Sequence, residues 1–139
     1  SSRVASAHID LTSPTSHIIV TSYNGVVLLA GQTPRNELKG MAEQAARRVS
    51  NVKKVHNELQ VLQPTSLLVR SNDSLLTSRI KTQMLADSAV PGTRIKVITE
   101  NGIVYMLGLV SQAEASHATN LVQSVSGVQK VVKLFEYTN

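Results

Sequence analysis

The sequence contains no cysteine and no tryptophan, and only 3% of its residues are aromatic. Without cysteine, this chain can form no disulfide, no thiolate metal site and no cysteine nucleophile. No continuous run of 18 apolar residues occurs, so no segment is long enough for a helix that spans a bilayer. The hydrophobic residues, 42% of the chain, are almost all aliphatic, and the core must be built from them.

The charge pattern argues against nucleic acid as a partner. The 14 basic and 9 acidic residues give a net charge of +5, but the excess is spread over both halves of the sequence. Nucleic-acid binding usually needs a denser basic stripe, and single strands also need aromatic platforms on which bases stack. A mild attraction to an anionic surface, such as phospholipid headgroups, fits the pattern better.

Residue patterns that indicate catalysis or metal binding are missing. The four histidines are His8, His17, His56 and His117. None is paired at the spacing of a helical metal site, and neither a nucleophile elbow nor a phosphate-binding glycine loop occurs. Asp10, Asp73 and Asp87 lie near the ends of predicted helices, so we interpret them as helix caps. The sequence predicts no enzyme, no metal and no cofactor.

A repeated pattern covers nearly the whole chain. The stretch YNGVVLLAGQTPRNE at 23–37 returns as ENGIVYMLGLVSQAE at 100–114. Further along, VSNVKKV at 49–55 returns as VSGVQKV at 125–131, with one residue fewer between the two stretches. Self-similarity over this length predicts two tandem structural units.

Each copy predicts the same order of elements: helix, strand, strand, helix, strand. Asn-Gly between two apolar runs predicts a type I′ hairpin. We predict that Thr33 caps the following helix in the first copy, and that Ser111 and Glu114 form a capping box in the second. A leading helix is predicted at about 2–10 and again at about 73–87, and a final strand closes each copy.

At this point the sequence resembles a known family. The segments VTSYNGVVLLAGQT and VSNVKKVHNELQV, with their counterparts VITENGIVYMLGLVS and VSGVQKVV, are similar to BON domains. The pair resembles the dual-BON lipoproteins of the Gram-negative outer membrane. The resemblance implies an α+β fold of two αββαβ modules, each a small three-stranded mixed sheet with two helices on one face.

The resemblance also implies an arrangement of domains and a location. We expect a first BON domain at 1–62, with its leading helix truncated at Ser1, a linker at 63–71 and a second BON domain at 72–139. Because the chain starts without methionine, we expect an upstream segment that carries a lipid anchor. The expected location is the periplasm, with tethering to the outer membrane.

The leading helix of the second copy carries the candidate site. At about 100° per residue, Leu76, Ile80 and Met84 share one face and are predicted to be buried. Leu75 and Leu85 fall on the other side, between cations that could meet phosphates while the leucines enter the acyl boundary. The predicted lipid-binding residues are Leu75, Ser78, Arg79, Lys81, Thr82, Leu85 and Ala86.

Three interpretations of the outward leucines remain open. They could pack against the first domain or the linker, contact lipid, or contact a protein partner. BON domains are regarded as phospholipid-binding modules, and in dual-BON lipoproteins this helix is the implied contact. Such lipoproteins can carry a bulky aromatic residue early in the helix, where this sequence has Leu75.

The final strands of the two copies differ. In the first copy Lys54, His56 and Glu58 alternate with apolar residues. This alternation predicts a strand with one solvent-exposed face. In the second copy Val132 and Leu134 replace two of these polar residues, so both faces are apolar. We therefore expect the two BON domains to dock on each other.

These observations lead to one prediction of function and one alternative. The protein is predicted to be a non-catalytic, phospholipid-binding envelope protein that attaches to anionic membrane and supports outer-membrane integrity. The alternative is an interaction module that recognises an envelope protein through the second sheet and contacts lipid only incidentally.

Overall fold

The computed structural model describes residues 16–138, which form parts of two units divided after Ser66. The leading helix predicted at 2–10 lies outside the described residues. The described elements of the first unit are β1 His17–Tyr23, β2 Val26–Thr33, α1 Asn36–Arg47, β3 Lys54–Asn57 and β4 Gln60–Val61.

The second unit contains the complete predicted order of elements. They are α2 Leu67–Ala86, β5 Ile95–Glu100, β6 Ile103–Val110, α3 Gln112–Gln123 and β7 Lys130–Tyr137, with a one-turn 3₁₀ helix at Gly92–Arg94. Helix α2 begins at Leu67, inside the segment that the sequence analysis assigned to a linker.

Both sheets have the predicted mixed topology. The central strand pairs antiparallel with the strand before it, β1 with β2 and β5 with β6. It pairs parallel with the final strand of its unit, β2 with β3 and β4, and β6 with β7. The α+β prediction of two small mixed sheets is therefore confirmed.

The two hairpins turn at the predicted Asn-Gly pairs. The φ angles are 50° and 79° at Asn24 and Gly25, and 55° and 76° at Asn101 and Gly102. Positive φ at both central residues defines the type I′ turn, and asparagine and glycine adopt it with the least strain.

The capping box predicted at Ser111 and Glu114 is confirmed. Ser111 accepts a hydrogen bond from the backbone N–H of Glu114, whose carboxylate accepts one from the N–H of Ser111. The prediction for Thr33 is wrong, because this residue is the buried end of β2 and α1 starts only at Asn36. Strand β2 includes Thr33 and ends just before Pro34, and the helix starts two residues after this proline.

The final strand of the first unit is broken into β3 and β4. Asn57, the last residue of β3, donates from Nδ2 to the carbonyl oxygen of Lys39 at 2.8 Å. Its Oδ1 accepts from the N–H of Leu59 at 3.3 Å. These side-chain bonds turn the chain between the two short strands, although both strands pair with β2.

Each unit has its own hydrophobic core on one face of its sheet. In the second unit, α2 and α3 both pack on this face. Its main core residues are Leu76, Ile80, Met84, Val97, Val104, Met106, Ala118 and Val122. Those of the first unit are Val27, Leu29, Leu38, Ala42, Ala45, Ala46 and Leu59.

His56 lies on β3 and is not as open to water as the sequence predicted. Burial lowers the pKa of its imidazole below the ordinary value of 6.5, and Lys54 lowers it further, while Glu58 opposes the shift. The folded state therefore binds fewer protons than the unfolded state once the pH falls below 6.5. Below this pH, protonation of His56 costs stability, and above it that cost is absent.

We therefore expect the first unit to be less stable at mildly acidic pH. The free energy of unfolding should decrease as the pH is lowered from just above 6.5 to well below it. The urea midpoint measures this decrease. In His56→Gln the loss should be smaller, because glutamine does not titrate. Glu114 does not interfere above pH 4.5. The stability that its lowered pKa contributes is lost only when the pH falls below this ordinary value. An equal loss in the variant would contradict this assignment.

Candidate functional site

Helix α2 extends from Leu67 to Ala86 without an internal glycine or proline. The predicted inner face is confirmed, since Leu76, Ile80 and Met84 are at most 6% exposed. At about 1.5 Å per residue, a helix of this length is about 30 Å long. One long, regular element therefore carries all of the predicted site residues.

The structure places all seven predicted site residues at exposed positions. They are Leu75, Ser78, Arg79, Lys81, Thr82, Leu85 and Ala86. Leu75 and Leu85 are 62% and 66% exposed, so packing within the second unit does not account for them. The hydroxyl of Thr82 donates to the carbonyl oxygen of Ser78 at 2.9 Å, which commits its proton to the helix backbone.

The earlier start of α2 adds residues that the sequence analysis missed. Leu67 and Leu68 are 79% and 72% exposed. At about 100° per residue they project to the same side as Leu75 and Leu85. We call this side of the helix the leucine face: Leu67, Leu68, Ser71, Leu75, Ser78, Thr82, Leu85 and Ala86. Four leucines, spaced by small side chains, thus point away from the core along most of the helix.

Cations flank the leucine face on both sides. Arg79 projects to one border and Lys81 to the other, and both are exposed. Arg79 is held in place because its Nη1 donates to the carbonyl oxygen of Ser126 at 3.1 Å. An apolar stripe between cations is the composition expected of a helix that lies on an anionic membrane surface.

Two polar contacts fasten α2 to the sheet beneath it. The carboxylate of Asp73 accepts hydrogen bonds from the backbone N–H groups of Asn101 at 2.7 Å and Gly102 at 2.9 Å. The hydroxyl of Thr77 donates to that of Thr99 at 2.7 Å. The interpretation of Asp73 as a helix cap is therefore wrong, since it lies inside the helix and binds the β5–β6 turn.

Asp87 follows the last residue of α2. Its Oδ1 accepts from the N–H of Ala89 at 2.9 Å, which satisfies a backbone donor in the loop that leaves the helix. This contact is local, unlike that of Asp73, which joins two elements.

A cleft opens beside the leucine face. It has a volume of about 400 Å³ and lies between α2, the β5–β6 turn and the loop after α3. We call it the α2 cleft. Its lining includes Asn72, Leu75, Arg79, Gly102, Gly127 and Gln129. Leu75 and Arg79 belong both to the site predicted from the sequence and to this cleft.

Among residues 16–138, no group of three or more histidine, aspartate or glutamate side chains could hold a metal ion. No helix of this part of the chain combines the length and apolarity needed to cross a bilayer. The 20-residue α2 contains Arg70, Asp73, Arg79 and Lys81.

The chain belongs to the BON domain family, whose profile matches it twice, at residues 3–63 and 72–139. The family and the relatives found indicate no catalytic activity, in agreement with the prediction that the protein is not an enzyme.

Three curated relatives are similar over most of this chain. Outer membrane lipoprotein DolP of Haemophilus influenzae is 45% identical over 116 residues, which are 84% of this chain and 60% of the relative. The 21 kDa hemolysin of Actinobacillus pleuropneumoniae is 38% identical over 88% of this chain and 63% of its own length. Osmotically-inducible protein Y of Escherichia coli is 33% identical over 82% of this chain and 58% of its own length. The chain thus spans about 60% of each of these relatives.

Proposed function

We propose that this protein is a phospholipid-binding component of the bacterial envelope and that it rests the leucine face of α2 on an anionic membrane surface. The observation that carries the proposal is the exposure of Leu67, Leu68, Leu75 and Leu85 on one side of a helix whose other side is buried. Apolar side chains held outward between cations suit the boundary between headgroups and acyl chains.

The relatives support the location. One similar protein is named an outer membrane lipoprotein, and we infer that this chain acts at the same membrane, on the periplasmic side. We further propose that a lipid anchor upstream tethers it there and that its binding supports the integrity of the envelope.

The energies indicate weak and reversible contact. Partial insertion of a leucine contributes about 1 kcal/mol, well below its value for full burial. Each cation near the surface adds about 1 kcal/mol at low salt. A covalent anchor would make such contact effective, because it raises the local concentration of the helix at the membrane.

The proposal is tested with vesicles of phosphatidylcholine that contain phosphatidylglycerol. In Leu75→Ala with Leu85→Ala, affinity should fall about thirtyfold, because two apolar anchors of about 1 kcal/mol each are shortened. The net charge is unchanged, so electrostatic attraction is not affected. Co-sedimentation gives the affinity, and backbone NMR shifts locate the contact.

Leu109→Ala provides the matched control. Leu109 is 40% exposed on β6, in the same unit but on the sheet, and its truncation should leave vesicle binding unchanged. Equal losses in the control and in the α2 variant would show that α2 is not the contact. A protein partner that is retained by the α2 variant but lost with Leu109→Ala would instead support the alternative of recognition through the second sheet.

A further inference from the structure

The final strand of the second unit has an open edge. In the strand order β5–β6–β7, β7 lies at one end of the sheet, and within residues 16–138 it pairs with β6 alone. On the closed side, the N–H of Thr138 donates to the carbonyl oxygen of Val110 at 2.9 Å. Backbone groups in a parallel ladder alternate between the two sides of a strand, so every second residue of β7 directs its N–H and C=O groups to the open edge. These residues are Val131, Lys133, Phe135 and Tyr137.

The matching edge of the first unit is interrupted. There the final strand is split into β3, of four residues, and β4, of two, and Asn57 turns the chain between them. Strand β7 is continuous over eight residues and contains no proline. Proteins usually protect an edge strand by keeping it short or by interrupting it. The first unit follows this rule and the second does not, as expected of an edge that pairs with another chain.

A groove lies between β7 and α3. It has a volume of about 340 Å³, and we call it the β7 groove. Its lining includes Gln112, Ser116, Asn120 and Gln123 of α3 with Lys133 and Tyr137 of β7. A strand added to the edge of β7 would direct every second side chain into this groove. The edge and the groove together provide the main-chain pairing and the side-chain contacts that peptide binding by strand addition requires.

The charge of the β7 groove favours an acidic side chain. Lys133 is exposed and forms no ion pair within the described part of the chain. Among the described residues that line the groove, none is acidic, so a carboxylate opposite Lys133 would meet no repulsion there. On the other side of β7, Val132 and Leu134 are only partly buried. Apolar side chains of an added strand would pack beside them.

We propose that the open edge of β7 binds an extended segment of another protein, which extends the second sheet beyond β7. The segment alternates apolar residues, which lie beside Val132 and Leu134, with polar residues, which enter the β7 groove. One of the polar residues is an aspartate or glutamate opposite Lys133. This interaction goes beyond the membrane contact proposed above and does not depend on it, because α2 packs over β5, at the other end of the sheet.

The first test adds a peptide of this pattern, acetyl-SVTVEVTVS-amide, to the full chain. At millimolar peptide, hydrogen exchange of the amides of Val131, Lys133, Phe135 and Tyr137 should slow about fivefold, because the bound form protects them. The same peptide N-methylated at its glutamate and threonines lacks the N–H groups that face β7 and should have no effect. N-methylation at its two central valines should leave it active. Equal effects of the two methylated peptides would show that main-chain pairing is not the interaction.

The second test exchanges charges. Replacing the glutamate of the peptide by glutamine should weaken binding about threefold, as expected for the loss of a cross-strand ion pair. In Lys133→Glu the preference should reverse, so that a peptide with lysine at this position binds more tightly than one with glutamate. Lys130→Glu is the charge-matched control, because Lys130 is exposed on the other side of the same strand, and it should keep the preference for glutamate. An equal loss of preference in both variants would overturn the pairing with Lys133.

Two further outcomes would overturn the proposal. If the same four amides are protected by raising the protein concentration without peptide, β7 pairs with a second copy of this chain. If millimolar peptide leaves their exchange unchanged, the edge does not bind an extended segment. Leu75→Ala with Leu85→Ala should bind the peptide as the unchanged protein does. Failure of the membrane contact and failure of the β7 site are therefore distinguishable.

Discussion

Gly31→Ala should lower the free energy of unfolding of the first unit by about 4 kcal/mol. A Cβ atom at this position would overlap the carbonyl oxygen of His17 on the neighbouring strand, and φ is 118°, a conformation that residues with a side chain rarely adopt. Steric overlap with rigid backbone and φ strain each cost about 1–3 kcal/mol. Urea denaturation followed by circular dichroism measures the loss.

The same substitution elsewhere in the unit provides the control. Gly40 lies inside α1, and a Cβ atom there would meet nothing within 4 Å. Gly40→Ala should therefore stabilise the protein by about 1 kcal/mol, because alanine is the better helix former. Opposite signs at the two glycines are the expected result, and a loss at both would contradict the explanation for Gly31.

Asp73→Ala should lower the free energy of unfolding of the second unit by about 3 kcal/mol. Its removal leaves the N–H groups of Asn101 and Gly102 without their acceptor in a partly buried turn. Hydrogen bonds to a charged group contribute about 1.5–3 kcal/mol each. Part of the lost free energy is regained in the variant, because water can hydrogen-bond to the N–H groups of the turn. Hydrogen exchange of the β5 and β6 amides, together with the urea midpoint, measures the effect.

Asp87→Ala provides the matched comparison, because it removes the same group from the exposed end of the same helix. Its single local bond to the N–H of Ala89 should contribute less than about 1 kcal/mol. If the two aspartate variants lose equal stability, the contact between α2 and the β5–β6 turn is not what Asp73 provides. Binding to vesicles should fall in parallel with unfolding for Asp73→Ala and stay unchanged for Asp87→Ala.

The features that the sequence predicted are those determined by neighbouring residues. The two Asn-Gly turns need positive φ, which few residue types tolerate, so the dipeptide itself identifies them. The capping box at Ser111 joins residues three apart in the chain. The inner face of α2 follows from helical periodicity alone, and it is confirmed at Leu76 and Ile80.

The features that the sequence did not predict depend on contacts between distant residues. Thr33 stays in β2 because that strand pairs with β4 as well as β1, and this pairing outweighs the helix signal after it. Asp73 finds its partners 28 and 29 residues away. The α2 cleft arises in the same way, since its walls come from three separate segments.

The start of α2 could have been found from the sequence. The sequence between Pro64 and Pro91 contains no proline or glycine. No helix-breaking residue therefore prevents the helix from starting as early as Leu67. The assignment of 63–71 to a linker placed Leu67 and Leu68 outside the helix, although their apolarity already argued against a loop. Continuing the periodicity upstream would have placed them with Leu75 and Leu85.

The contacts that hold α2 against its sheet affect the free energy of the membrane binding that we propose. Many membrane-binding peptides are unstructured in water and fold into a helix only when they bind. Part of their binding free energy is therefore offset by the entropy cost of ordering the chain. Here Ile80 and Met84 are at most 1% exposed, and the helix is formed before any encounter. The membrane contact that we propose would therefore carry little conformational entropy cost, and a few shallow contacts would suffice for rapid and reversible binding.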